Sequence, residues 1–515
     1  MRLKRNVLSV TLAVLSGAVC LGAQEHHHTG ATEAAPGGHL GQVSFSNSCA
    51  PAAEAPLNQG VALLHSFQYE ASDLAFKRAA AQDPDCAIAY WGQAMTLWHG
   101  LWERPQAASL ATGHDEVQKA ESLKAKTARE REYIAAAAAF YQDDSKLEYA
   151  ARAMAYSKAM GQVHQHYLED GDAAAFYALS LIDLPAHGAA DLANRENAIA
   201  ILNTLFAAEP DHPGAAHYLI HACDTPELAS QGLDAARRYA KIAPDSAHAL
   251  HMPSHIFTRL GLWQESIASN IASAAAAAEA TKMHLGDEHY QLHAMTFLEY
   301  AYLQIGQNAA AQQVIDDVTS VPGVTTGEIE HTQAAFRATY ALETHDWKMA
   351  AALEPPSGAP GVQQMTWWAR AIGAARSGDV AGARSDVDKL AGATAAAHAQ
   401  SKKEGYDVSG EKSIDQLEAE AWLAWAEGRH DDGLATLRAA ADREDREGVD
   451  SLTMPAREML GDMLMESNQP AAAVTAYQTA LKESPNRRDG VHGQELATRA
   501  AGQPAARSTP SGGSK

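Results

Sequence analysis

The stretch Met454–Pro485, MPAREMLGDMLMESNQPAAAVTAYQTALKESP, decides the fold of this 515-residue chain. Leu460-Gly461 in its first half is followed by Ala473, Tyr477 and Ala480 in its second, and Pro485 closes it. Gln59-Gly60, Phe76, Ala79 and Pro84 set the same frame near the start. Turn-like segments recur between them, at Leu260–Ile267, Ile305-Gly306-Gln307, Thr344–Trp347, Ser377-Gly378-Asp379 and Glu427-Gly428-Arg429, giving a period near 34 residues. Composition agrees. At 46% hydrophobic and 20% charged the chain can bury a core. Alanine runs at Ala135–Ala139 and Ala274–Ala278, with few β-branched stretches, favour helix over sheet.

On these residues the chain resembles a tetratricopeptide-repeat protein over most of residues 57–487. The resemblance implies an all-α fold: an α-solenoid of about eight or nine tetratricopeptide-like hairpins, small residues packed against large ones. Residues 97–170, with Trp98, Trp102 and Pro105, interrupt the period and predict an irregular helical insertion. The remaining divisions are N-terminal repeats over 57–96, histidine-bearing repeats over 171–320, C-terminal repeats over 321–487, and an extension with a disordered tail over 488–515. The segments Asp83–Gly92 and His251-Met252-Pro253-Ser254-His255-Ile256-Phe257 also look like a family of secreted bacterial repeat proteins that has no settled biochemical function.

The amino terminus reads as a targeting segment. Met1–Arg5 is basic, Val7–Ala23 is apolar, and Gly22 and Ala23 precede Gln24-Glu25, which predicts a signal peptide over 1–23 and export to the periplasm or the medium. Val19 before Cys20 argues against a lipoprotein anchor. No later stretch is apolar enough to span a bilayer. Residues 24–56, rich in Gly, Pro, Ser and Ala and including His26-His27-His28 and His39, read as a flexible leader. Of the cysteines left after cleavage, Cys49 and Cys86 flank the first helical unit and make a plausible disulfide. Cys223 is then the odd thiol, a buried small residue or a metal ligand. The formal charge of −23 excludes nucleic acid as a natural partner.

Three histidine pairs stand out: His217 and His221, His251 and His255, His289 and His293. Residues four apart lie on one helical face, close enough for two imidazoles to meet one ion. His217 to His251 and His221 to His255 are each 34 residues, so the pairs occupy equivalent places in consecutive hairpins. Counted from the turn at Gly261, His248, His251 and His255 face the concave groove; counted from Pro210 and Pro244, the pairs pack between helices. The first count is adopted, because buried imidazoles need polar partners that apolar neighbours do not supply. His217, His221, His251 and His255 form the leading constellation, with His289 and His293 as a second site or extension. Imidazole donors suit zinc or copper better than magnesium or calcium.

Other residues carry weaker signals. Asp224 either orients an imidazole or caps a helix. Asp287 and Glu288 are candidates for a general base or for acceptors that orient a ligand imidazole, or a solvated first turn, and Arg259 a carboxylate clamp. His65 and His99 read as core or rim histidines with a possible reach into the groove. Trp91, Trp98, Trp102, Trp367 and Trp368 read mostly as core. None of the pairs has the H-E-x-x-H form, and no phosphate-cradling loop, nucleophile elbow or dinucleotide fingerprint occurs. Three functions follow as expectations: an exported scaffold with a histidine-rich zinc or copper site, a metal-free scaffold taking a peptide or protein segment in its groove, or a metal-dependent enzyme acting on a small substrate there.

Overall fold

The computed structural model describes residues 38–101, 104–142, 147–282, 288–403, 406, 410–448 and 452–502. The expected signal segment 1–23, the triple histidine at 26–28, Trp102, Asp287 and the tail beyond residue 502 lie outside them. Among the described residues there are 24 α-helices and no strand, arranged as an all-α solenoid of helical hairpins. None of these helices is long and apolar enough to cross a membrane.

The small-against-large pattern is what locks each hairpin to the next. Phe76 is fully buried between two glycines, Gly60 on the preceding helix and Gly92 on the following one. A Cβ on either glycine would stand within 2.8 Å or 2.4 Å of the Phe76 ring. Tyr477 sits the same way between Gly461 and Gly493, where a Cβ would come to 2.6 Å and 2.4 Å. Each aromatic ring thus fills the space two absent side chains leave, and interior packing at this density leaves no slack for a methyl group.

The three larger apolar clusters are drawn from residues 45–257, 263–452 and 338–497, the last two overlapping in sequence, and a small fourth one joins Leu40 to Ala62, Leu63 and Ala75. The end of the array returns to its middle. Asn486 O accepts from Trp263 Nε1 at 2.9 Å, and Pro485 O lies so near Gly261 that a Cβ there would come to 2.2 Å. Gly261 also has φ +64°, so two constraints require glycine at this turn. Arg487, fully buried, meets Glu343 at 3.0 Å and Glu458 at 2.9 Å, a charge set whose members come from three parts of the chain.

Cys49 and Cys86 form a disulfide, with Cα atoms 4.9 Å apart, and Cys223 is a buried free thiol. Residues 38–50 differ from the flexible leader expected for them. They run extended along the helices, with Phe45 only 2% exposed and held by its N–H to Asn58 Oδ1 at 2.9 Å. The first helix opens at Pro51, inside that segment. Burial of Phe45 against Trp91 and Tyr133 is the physical reason, since a short polar-looking sequence can still deliver one aromatic anchor. The stretch 97–170 carries three helices, Ala107–Ser122, Ala128–Tyr141 and Tyr149–His166, reached through a turn with His99 and Leu101 at positive φ. Beyond 487 the chain continues as the helix Arg488–Gly502.

Candidate metal centre

Four helical segments build the centre. Pro213–Cys223 carries His217 and His221; Ala247–His251 carries His248 and His251; Pro253–Arg259 carries His255; Glu288–Gln304 carries His293. Pro253 has no N–H, so the helix breaks at Met252 and restarts with proline at its first position. The break does not part the pair: His251 Nε2 and His255 Nε2 are 3.0 Å apart.

The imidazoles fall into two sets of three. His217, His221 and His248 offer nitrogens that all lie within 4.8 Å of one another, and so do His251, His255 and His293. His217 Nε2 is 3.0 Å from His248 Nε2 and 3.1 Å from His221 Nε2. Two nitrogens on one tetrahedral ion stand about 3.3 Å apart for bonds of about 2.0 Å, so these spacings are close to those of ligands around a metal.

The outer nitrogens are held by fixed partners. His217 Nδ1 donates to the backbone carbonyl of His65 at 2.6 Å. His255 Nδ1 donates to Asp224 Oδ2 at 2.8 Å, and Arg259 Nε donates to the other oxygen at 3.0 Å. His251 Nδ1 faces Asn270 Oδ1 at 2.7 Å. Asn270 Nδ2 donates to Ser266 O at 2.8 Å, which sets the amide so that its oxygen accepts from His251. With both Nδ1 protons placed outward, the inward nitrogens of His251 and His255 face each other at 3.0 Å.

Burial opposes protonation of five imidazoles of the two sets. Desolvation pushes His251, His248 and His221 well below the ordinary imidazole range, and brings His217 and His293 down to about 3. Asp224 is also buried, which by itself would raise it, but Arg259 and His255 outweigh that and keep it ionised. Phe67 covers the first set, its ring 4.5 Å from His217, and Phe297 covers the second at 4.8 Å from His251 and 4.7 Å from His255. Phe67 takes φ +55°, an uncommon conformation for a bulky residue.

Several expectations are corrected here. His217, His221, His251 and His255 do not make one four-ligand site; each pair takes a third imidazole, His248 or His293. His289 belongs to neither set. One turn nearer the helix start, its side chain is 63% exposed and lies 3.7 Å from Glu328. The imidazoles do not line an open groove either, since His217, His248 and His251 are buried and only His221, His255 and His293 are half-buried. Their polar partners come from distant segments, the His65 carbonyl and Asn270, rather than from neighbours along the helix.

His65 goes elsewhere. Its Nε2 donates to Asp172 Oδ1 at 2.9 Å and its Nδ1 accepts from Tyr218 at 3.1 Å. His212 accepts from the Ala215 N–H and turns Nε2 to Asp172 at 3.4 Å. Both nitrogens of His65 are partnered, while His212 Nε2 has only its longer approach to the Asp172 oxygen that His65 already holds, so the trio is a buried network centred on Asp172. His99 stacks on Tyr69 at 4.3 Å. Sequence reasoning passed over His248 as a ligand, although His248-Ala249-Leu250-His251 places it three residues before the second pair. Asn270 sits in an alanine-rich helix and gave no signal.

No protein-family model matches the chain. No curated protein matches it either. Among solved structures it is similar to the human IFIT1 dimer with m7Gppp-AAAA, at 10% identity over 86% of this chain and 95% of that one, TM-score 0.38. It is similar also to the APC/C hetero-tetramer Cut9-Hcn1, at 11% identity over 89% and 79%, TM-score 0.34. Yeast Tom70 matches at 9% identity over 87% and 95%, TM-score 0.31. These are distant likenesses in the helical course of the chain.

Proposed function

We propose that this protein is an exported helical-repeat scaffold whose buried histidines hold a transition metal, zinc or copper. The observation that carries the reading is the His251–His255 pair: each ring directs Nδ1 outward to a fixed acceptor, and the two inward nitrogens stand 3.0 Å apart, where a pair of bare lone pairs would repel. A cation between them turns that repulsion into coordination, and the third imidazole, His293, completes a three-nitrogen set. His217, His221 and His248 repeat the arrangement one hairpin earlier. The all-imidazole donor set favours zinc or copper over oxygen-seeking magnesium and calcium. Three protein ligands leave a coordination position open, the feature on which any chemistry at the metal depends. The Cys49–Cys86 disulfide supports the export part of the reading, because such bonds persist in oxidising compartments.

The test is elemental analysis of protein purified without a histidine tag and equilibrated with zinc or copper. The reading expects stoichiometric metal, lost from the second set in His251→Ala with His255→Ala and unchanged in His289→Ala. Protein that stays free of both metals contradicts it.

A further inference from the structure

We propose that the two histidine sets act as one paired centre, two metal ions with a small anion bound between them. This rests on the metal-binding reading above and extends it from sites to a centre.

The first observation is adjacency. The rings of His221 and His255 are 6.3 Å apart, and so are those of His248 and His251. Within the first set, His221 and His248 are separated by the same 6.3 Å. The boundary between the sets is therefore no wider than a spacing inside one of them. Since His217 to His251 and His221 to His255 are both 34 residues, the second set continues the first by one hairpin.

The second observation is charge. Six neutral imidazoles bring no negative charge to the two ions. The nearest carboxylate, Asp224, is spent on His255 Nδ1 and on Arg259, not on the inward face. Arg195, itself paired with Asp191 at 2.8 Å, donates to the His221 carbonyl at 2.9 Å, so neither guanidinium is left over to add charge and neither carboxylate to balance the ions. Two adjacent cations in a low-dielectric site have a strong demand for an anion.

The third is access. Phe67 and Phe297 cover the buried rings, while His221, His255 and His293 keep a smaller exposed edge, 16% of the side chain at His255. One ligand entering at that edge meets both ions. The chemistry fits a small anion with two donor ends or one bridging atom, such as azide or hydroxide, and leaves no room for a bulky one.

The probe is Cu(II), with azide as the anion, on the full chain carrying His26, His27 and His28 replaced by alanine so that the leader holds no copper. Elemental analysis should give two coppers per chain. Electron paramagnetic resonance should show a spin pair, with a half-field transition, and azide should saturate at one per two coppers. His248→Ala and His293→Ala should each leave one copper with an isolated Cu(II) spectrum. Two coppers with isolated spectra, or one azide per copper, would overturn the pairing. One copper in the parent chain overturns the pair but leaves a histidine metal site, whereas no copper removes both. Should neither variant fold, the spin coupling and azide ratio of the parent chain decide alone.

Discussion

The backbone carbonyl of His65 accepts the Nδ1 proton of His217 at 2.6 Å, joining residues 152 positions apart. His65 can do this because its own ring is pinned between Asp172 and Tyr218. Asp172 is buried, which would raise its carboxyl, yet hydrogen bonds from His212 and His65 outweigh burial and hold it below the usual carboxylate range. Asp172→Ala leaves both histidine N–H groups without an acceptor, and should cost about 3 kcal/mol in urea unfolding. It should also weaken metal at the first set roughly 10-fold while sparing the second, as read by chelator competition in His293→Ala and His248→Ala backgrounds.

Asp224 and Asn270 orient the second set and touch no ion themselves. Asp224→Ala or Asn270→Leu should lower metal affinity there by about 10- to 100-fold, without changing ligand number. Competition against a chelator of known affinity measures this. Unchanged affinity in both variants would show that the outer partners do not preorganise His255 and His251.

The disulfide closes a separation of 37 residues in sequence. Loop-closure entropy assigns it about 4 kcal/mol. Cys49→Ala with Cys86→Ala should therefore lower the urea midpoint strongly, and a reductant should do the same to the parent protein. Equal stability of the oxidised and reduced chains would contradict the structural role.

Stability should depend on pH through two carboxyls away from the metal centre. Burial pushes Asp183 and Asp462 up to about 6, from an ordinary value near 3.8. Between those values the folded chain holds more protons than the unfolded one, so stability falls as pH rises through the window. Each accepts from a tyrosine, Tyr149 at 2.6 Å and Tyr477 at 2.6 Å; at Asp183 the second oxygen accepts from the Leu101 N–H at 2.9 Å, so asparagine keeps one of those two bonds. Asp183→Asn with Asp462→Asn should lessen the fall in melting temperature between pH 4 and 6 without abolishing it, because burial also raises Glu299, Glu343 and Glu418. Because both residues keep some exposure, the gain at pH 7 should be no more than about 2 kcal/mol each.

Much of the architecture is readable in Leu460-Gly461 and Tyr477, because a glycine facing an aromatic ring at a fixed interval leaves few ways to pack two helices. The 34-residue spacing likewise shows that His217 and His251 are equivalent. Which imidazole completes each set is not in the spacing. That depends on where the helix after residue 287 begins and how it turns, which exposes His289 and brings in His293. The buried partners are illegible for another reason: Asn270 and the His65 carbonyl reach the centre through tertiary contacts, and no local pattern marks them.

X-ray absorption on zinc-loaded protein, prepared without a tag and with His26, His27 and His28 replaced, addresses the convergence of imidazoles on a metal most directly. The expected first shell has about three nitrogen neighbours per zinc near 2.0 Å with the outer-shell pattern of imidazole, plus one light ligand. A shell dominated by carboxylate oxygen or by sulfur, or zinc that washes off before measurement, would contradict it.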